Sequence, residues 1–191
     1  MAETIKVAVL VGSLRKESLN RKLAKALIGL APDHFEFRIL EIGDLAFYNQ
    51  DLENNDEPET WERFRDEIRS ADAVLFVTPE YNRSVPAVLK NAVDVGSRPP
   101  GKSVWNGKPC AVISGSPGAV GGFGANHHLR QSLMCVNMPT MPAPEGYVGA
   151  LGGIFDDDGA INNDRSRAFL GKFVDAFAAW VNQFPGSQEK G

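Results

Sequence analysis

The chain has 191 residues, 43% of them hydrophobic and 23% charged, with a formal net charge of −4. That is enough apolar material for one full-sized core, and the acidic balance leaves no electrostatic basis for nucleic-acid binding or an anionic membrane partner. Two cysteines, Cys110 and Cys135, occur outside any C-x-x-C or Cys/His cluster, so no disulfide framework and no metal site is expected, and both are read as buried, reduced thiols.

The first apolar run, Val7–Val11 inside MAETIKVAVLVGS, is five residues long, too short for a signal-peptide core. No stretch approaches transmembrane length, so a cytoplasmic protein is expected. Ile5–Val11 is nearly unbroken and β-branched, the pattern of a strand buried on both faces. Leu19, Leu23, Ala26, Leu27 and Leu30 then mark one face of a helix. FEFRIL (35–40) reads as a second strand, and the polar NQDLENNDEPET (49–60) as a surface loop. A second helix follows, with Trp61, Phe64, Ile68 and Ala71 on its inner side. AVLFV (73–77) is a third buried strand. Ser84 is expected to cap the next helix, with Pro86 in its first turn and Val85, Val88, Leu89, Ala92 and Val93 as its core stripe.

PCAVIS (109–114) gives a fourth strand, and SGSPGAVGGFG (114–124) leads to a helix around 126–136. MPTMPAPEGYVG (138–149) reads as a fifth strand region broken by proline. The last helix is placed at about 164–184, with Phe169, Phe173, Phe177, Val181 and Phe184 along one face, and GSQEKG (186–191) as a frayed tail. Alternating strands and helices predict an α/β domain over 1–185: a doubly wound, five-stranded parallel sheet with helices on both faces. In such folds ligands bind beyond the carboxyl ends of the strands, at the switch point. Segments 12–20, 78–84 and 114–122 occupy those places, and they are the segments of least ordinary composition.

GSLRKESLNR (12–21) lies between strand and helix, where free backbone N–H groups and the helix dipole favour an anion. Ser13 and Ser18 add hydroxyls, Asn20 an amide and Arg15 a planar cationic fork. The segment is not a P-loop, because Glu17 and Ser18 stand where its second glycine and lysine belong. It is not G-x-G-x-x-G either, since Leu14 replaces the second glycine. Simple helix capping by Ser18 is the competing explanation. TPEYNRSVP (78–86) offers Tyr81 as a π-face and Asn82 for ring heteroatoms, a suitable wall for a flat heterocycle, or else an ordinary surface loop. SGSPGAVGGFG has five glycines in eleven residues, which permit tight turns or close approach to a ligand. It is not a serine-hydrolase elbow, because Ser114 stands two residues before Ser116 where a glycine is required. His127 and His128 are expected near a helix start, one beside the cap and one packed; His34 is assigned no role. FDDDGAI (155–161) lacks the first EF-hand acid, Ile154 standing in its place, and reads as a solvated turn.

Taken together and in order, VGSLRKESLNR, TPEYNRSVPAVLKNAVD and the SGSPGAVGG–HHLRQ segment resemble the NADPH-dependent FMN reductase family, closest to its bacterial quinone reductase branch, also called chromate reductases. The resemblance runs from about Ile5 to the final helix. It implies a flavodoxin-like fold, noncovalent FMN, NADPH or NADH as electron donor, and quinones, free flavins, azo dyes or metal oxyanions as acceptors. It implies that Ser13, Arg15, Ser18 and Asn20 hold the FMN phosphate, with backbone contacts from Leu14 and Leu19. Pro79, Glu80, Tyr81 and Asn82 would line the isoalloxazine, and Gly115, Ser116 and Pro117 would complete the ribityl and ring contacts. A homodimer or homotetramer is implied as well. Arg83 and His127 stand where relatives commonly carry tyrosine; Arg83 is assigned as a cationic contact for NADPH phosphates or an anionic acceptor. The expected cycle is ping-pong: the nicotinamide reduces the flavin and leaves, then the acceptor takes two electrons. Backbone N–H groups of 114–118 would meet the developing negative charge. No side chain is assigned as a catalytic acid or base. The alternatives are a flavodoxin-type electron carrier with no nicotinamide site, and a phosphate-binding hydrolase or regulatory module without flavin.

Overall fold

The computed structural model describes residues 4–53 and 56–184; the tail expected at 186–191 lies outside them. Five strands run in chain order: β1 (Ile5–Val11), β2 (Phe35–Ile39), β3 (Ala73–Thr78), β4 (Cys110–Gly115) and β5 (Gly146–Val148). They form one parallel sheet of order β2-β1-β3-β4-β5, the flavodoxin-like order with its switch point between β1 and β3. The α/β doubly wound expectation is borne out. The helices are α1 (Leu19–Ile28), α2 (Glu59–Arg69), α3 (Ala87–Gly96), α4 (Phe123–Cys135) and α5 (Asp164–Val181).

Strand side chains alternate between the two sheet faces, and the core divides accordingly. Val7, Val9 and Val11 of β1 join Leu23 and Leu27 of α1 and Phe173 and Phe177 of α5. Ala8 and Leu10 face the opposite way, toward Trp61 and Phe64 of α2, Leu89 of α3 and Leu129 of α4. Both indoles in that second layer are fully buried and satisfy their N–H groups: Trp61 donates to Ala46 O at 2.9 Å and Trp105 to Val93 O at 2.9 Å. A buried indole needs such an acceptor, because an unpaired N–H loses its hydration without compensation.

Several local expectations are corrected. Ser84 does not cap α3; Pro86 occupies the cap position and makes no side-chain cap bond, while Ser84 Oγ lies 3.0 Å from His128 Nδ1. Helix α4 starts earlier than the periodicity suggests, after Gly122, so His127 and His128 fall in its second turn. Both are exposed, although the His127 ring rests against Phe123, with centroids 4.2 Å apart. Cys110 is buried as expected, but Cys135 is exposed. On α5 the buried stripe is Leu170, Phe173, Val174, Phe177, Ala178 and Val181; Phe169 is exposed and Phe184 lies beyond the helix end. A 3.6-residue period admits two neighbouring stripes on so apolar a helix, and packing selected the one including Leu170.

Candidate functional site

Each of the three singled-out segments begins where a strand ends. β1 exits into Gly12, whose N–H donates to Val77 O on β3 at 2.9 Å. Ser13 is buried, the chain then turns through exposed Leu14 and Arg15, and it returns to bury Ser18 and Asn20. Ser18 has extended backbone and is the N-cap of α1, its Oγ accepting the Arg21 N–H at 3.1 Å. The competing capping role is therefore real. It does not use the hydroxyl proton, which stays available to an anion. No acidic residue stands in the first turn of α1, so the helix start keeps its positive end.

β3 exits through Pro79 into a tight hairpin. Tyr81 and Ser84 exchange both backbone hydrogen bonds, at 3.1 and 3.0 Å. Between them Asn82 and Arg83 have φ of 51° and 64°, the two successive left-handed residues of a primed two-residue turn. Tyr81 is left 49% exposed. β4 exits into Ser116, whose N–H donates to Val148 O at 3.0 Å and whose carbonyl accepts from Leu151 N–H at 3.0 Å.

These exits meet. Ser13, Arg15, Ser18, Leu19 and Asn20 form one side of a single cleft, Pro79, Glu80 and Tyr81 a second, and Gly115, Ser116 and Pro117 a third. Of the residues expected there, Leu14 and Asn82 do not line it, and Arg83 lies outside it as well, its guanidinium 2.8 Å from Glu80. Leu151 does line it and has no signal in the sequence: it arrives because the chain after β5 folds back against Ser116. A wider groove between α3 and α4, containing Ser84, His128 and Cys135, takes in none of the residues of segments 12–20 and 114–122.

The donors suit a phosphorylated heterocycle. The Asn20 amide bridges two segments, its Nδ2 donating to Gly115 O at 3.1 Å. Its Oδ1 is buried with no partner, an orphaned acceptor beside the cleft that a ligand hydroxyl would satisfy. Arg15 has no ion-pair partner among the described residues and is exposed. The expected set of backbone donors is narrower than the sequence suggested, because Ser116 N–H is occupied by Val148 O and Pro117 has none. Glu80 is ionised in this setting. Burial disfavours its charge, but the Ala125 N–H, the Arg83 guanidinium and the Gly124 N–H outweigh that and hold its carboxyl below the usual carboxylate range. Among the described residues no group of His, Cys, Asp or Glu could hold a metal ion, and no helix is long and apolar enough to cross a membrane.

Residues 5–151 match the family model described as NADPH-dependent FMN reductase. The chain is 62% identical over 181 residues to a quinone reductase of Pseudomonas putida, covering 95% of this chain and 97% of that one. It is 47% identical over 177 residues to a 2-hydroxy-1,4-benzoquinone reductase of a Burkholderia species, covering 93% and 96%. The solved structure of a flavoenzyme NAD(P)H:(acceptor) oxidoreductase from Paracoccus denitrificans superposes with a TM-score of 0.90 at 46% identity, over 95% of this chain and 99% of that one.

Proposed function

Because the chain belongs to the NADPH-dependent FMN reductase family, we propose that it is a quinone reductase that takes electrons from NAD(P)H by way of FMN held in the strand-end cleft. The observation that carries this reading is the convergence of three segments, distant in sequence, on one cleft containing a buried unpaired acceptor. FMN, when bound, supplies the hydride-accepting and electron-donating chemistry; the protein supplies binding, orientation and electrostatics.

In this reading the phosphate lies at the start of α1. There the first-turn N–H groups have no partner within the helix, Ser18 donates its hydroxyl proton, and the Arg15 guanidinium neutralises charge. A phosphate carrying about −1.5 to −2 charges is thus met by local donors in an acidic protein. Asn20 Oδ1 accepts from the ribityl chain rather than contacting the phosphate, since an acceptor oxygen repels phosphate oxygens. This revises the role the sequence suggested for Asn20. Pro79 and Tyr81 wall the ring, and Gly115 with Ser116 forms the floor. Donor and acceptor use the same open face in turn, which gives ping-pong kinetics. Arg83, outside the cleft and paired with Glu80 but with its side chain exposed, is the cationic group offered to anionic groups of NADPH or a metal oxyanion such as chromate. Assembly into a homodimer or homotetramer closes the exposed edges of the cleft.

Anaerobic titration tests the proposal. The purified protein should be yellow, bleach on addition of NADPH or NADH, and recover its colour with a stoichiometric amount of quinone. Yellow protein that neither nicotinamide bleaches indicates an electron carrier instead. Colourless protein that cannot take up FMN refutes the flavin reading.

A further inference from the structure

Glu80 is placed by resemblance among the groups lining the flavin ring, yet its carboxylate is turned elsewhere. Oε2 accepts the Ala125 N–H at 3.1 Å, and the Gly124 N–H beside it also favours the ionised carboxylate. Oε1 accepts from Arg83 Nη1 at 2.8 Å, and only 11% of the side chain is exposed. Helix α4, whose first turn contains these two amides, has a glycine at its cap position, no side-chain cap bond and no acidic residue in its first turn. Its own sequence therefore leaves the helix start without the anion that normally sits there. The approach is close: a Cβ on Gly124 would lie 2.9 Å from Glu80 Oε2 and 2.8 Å from Arg83 O. A second tie joins the same partners, Ser84 Oγ to His128 Nδ1 at 3.0 Å.

The consequence concerns the cleft. The segment 116–122 connects β4 to α4, so its two ends are fixed by the strand and by the start of the helix. One of those ends is held by a residue from the β3 exit. We propose that Glu80 is a positioning residue: it caps α4 from the neighbouring strand and thereby fixes the distance between the Pro79–Tyr81 wall and the Gly115–Pro117 floor. This rests on the reading of the cleft as a flavin site and assigns Glu80 a role other than ligand. Arg83 completes the device, holding the carboxylate ionised and its own left-handed backbone in place.

The test uses the full chain and two variants, Glu80→Gln and Glu80→Ala, with amide hydrogen exchange before FMN is added, FMN affinity by fluorescence quenching, and the urea midpoint as a folding control. Hydrogen bonds to a charged group are worth about tenfold or more in an equilibrium constant. Glu80→Ala should therefore speed exchange at Gly124 and Ala125 by about that factor and weaken FMN binding by a similar one. Glu80→Gln keeps an acceptor oxygen and should fall between on both measures. Weaker FMN binding with unchanged exchange would make Glu80 a direct ligand and overturn the proposal. Faster exchange with unchanged FMN affinity would make it a structural cap alone and overturn it equally. A parent chain that takes up no FMN refutes the flavin reading separately, while the exchange rates still decide whether Glu80 caps α4.

Discussion

Replacing Gly115 by alanine perturbs the cleft floor by a single methyl group. A Cβ at this position would lie 2.6 Å from Leu151 Cδ2, 3.2 Å from Asn20 Oδ1 and 3.3 Å from Leu23 Cδ2. Carbon atoms in contact prefer about 3.5–4.0 Å, so Leu151 must retreat by about 1 Å. It has little room, being fully buried, and Asn20 is anchored to the Gly115 carbonyl. Overpacking of this kind costs about 1–3 kcal/mol. Alanine at a backbone position it tolerates restores about 0.4–1 kcal/mol by restricting the unfolded chain. The net expectation is a loss of about 1–2 kcal/mol, read as a lower urea midpoint at unchanged slope. FMN affinity should fall by about tenfold, because the displaced groups shape the floor and hold the orphaned acceptor. Leu151→Ala alone should cost about 2–5 kcal/mol. The double variant should cost at least about 0.5 kcal/mol less than the sum, because the cavity accommodates the added methyl. A Gly115→Ala protein as stable as its parent and binding FMN equally well, or strict additivity in the double variant, would falsify this packing argument.

Three further outcomes are expected. Ser18→Ala should lower stability by about 1 kcal/mol through the lost cap of α1, seen in the denaturant midpoint without FMN; no change would mean that Arg21 N–H finds another acceptor. Gly96→Ala should be severe, about 3 kcal/mol or more, because its Cβ would lie 2.5–2.6 Å from three atoms of the Trp105 ring, which is fully buried and pinned through Nε1 to Val93 O; a melting temperature within a degree or two of the parent contradicts it. Lys108 is buried, and desolvation pulls its pKa down to about 8 against the opposing pull of Asp72. The unfolded chain then binds more protons between about pH 8 and the ordinary lysine range near 10.4, so stability rises with pH across that window, by up to about 3 kcal/mol. Lys108→Met should remove the rise, and the same slope in both proteins would refute the assignment.

The strands were legible because β1, β3 and β4 are buried on both faces and so appear as unbroken apolar runs. Alternation with helices predicted a doubly wound parallel sheet, and the rule that ligands bind beyond the strand ends identified which loops could hold one. The strand order itself was implied only by the family resemblance. Less was legible where the determinant is a long-range contact. Ser84 looks like a cap in sequence, but the primed turn at Asn82 and Arg83 carries it toward His128 instead. Helix α4 begins at Phe123, and the carboxylate that meets its first turn comes from Glu80, more than forty residues earlier. Leu151 reaches the cleft only through the backbone pairing of Ser116 with the chain after β5. In each case the missing information was the identity of a partner on another element, which neither periodicity nor local propensity encodes.

The account turns on a single cleft that takes the phosphate end of a flavin at the start of α1 and its ring beside Tyr81. Comparing FMN with riboflavin, which lacks the phosphate, measures this most directly. The parent should bind FMN at least about a hundredfold more tightly, Arg15→Ala should erase most of that ratio, and Tyr81→Ala should weaken both ligands while leaving the ratio intact. Equal affinity of the parent for the two flavins, or a ratio that Arg15→Ala leaves unchanged, contradicts the account.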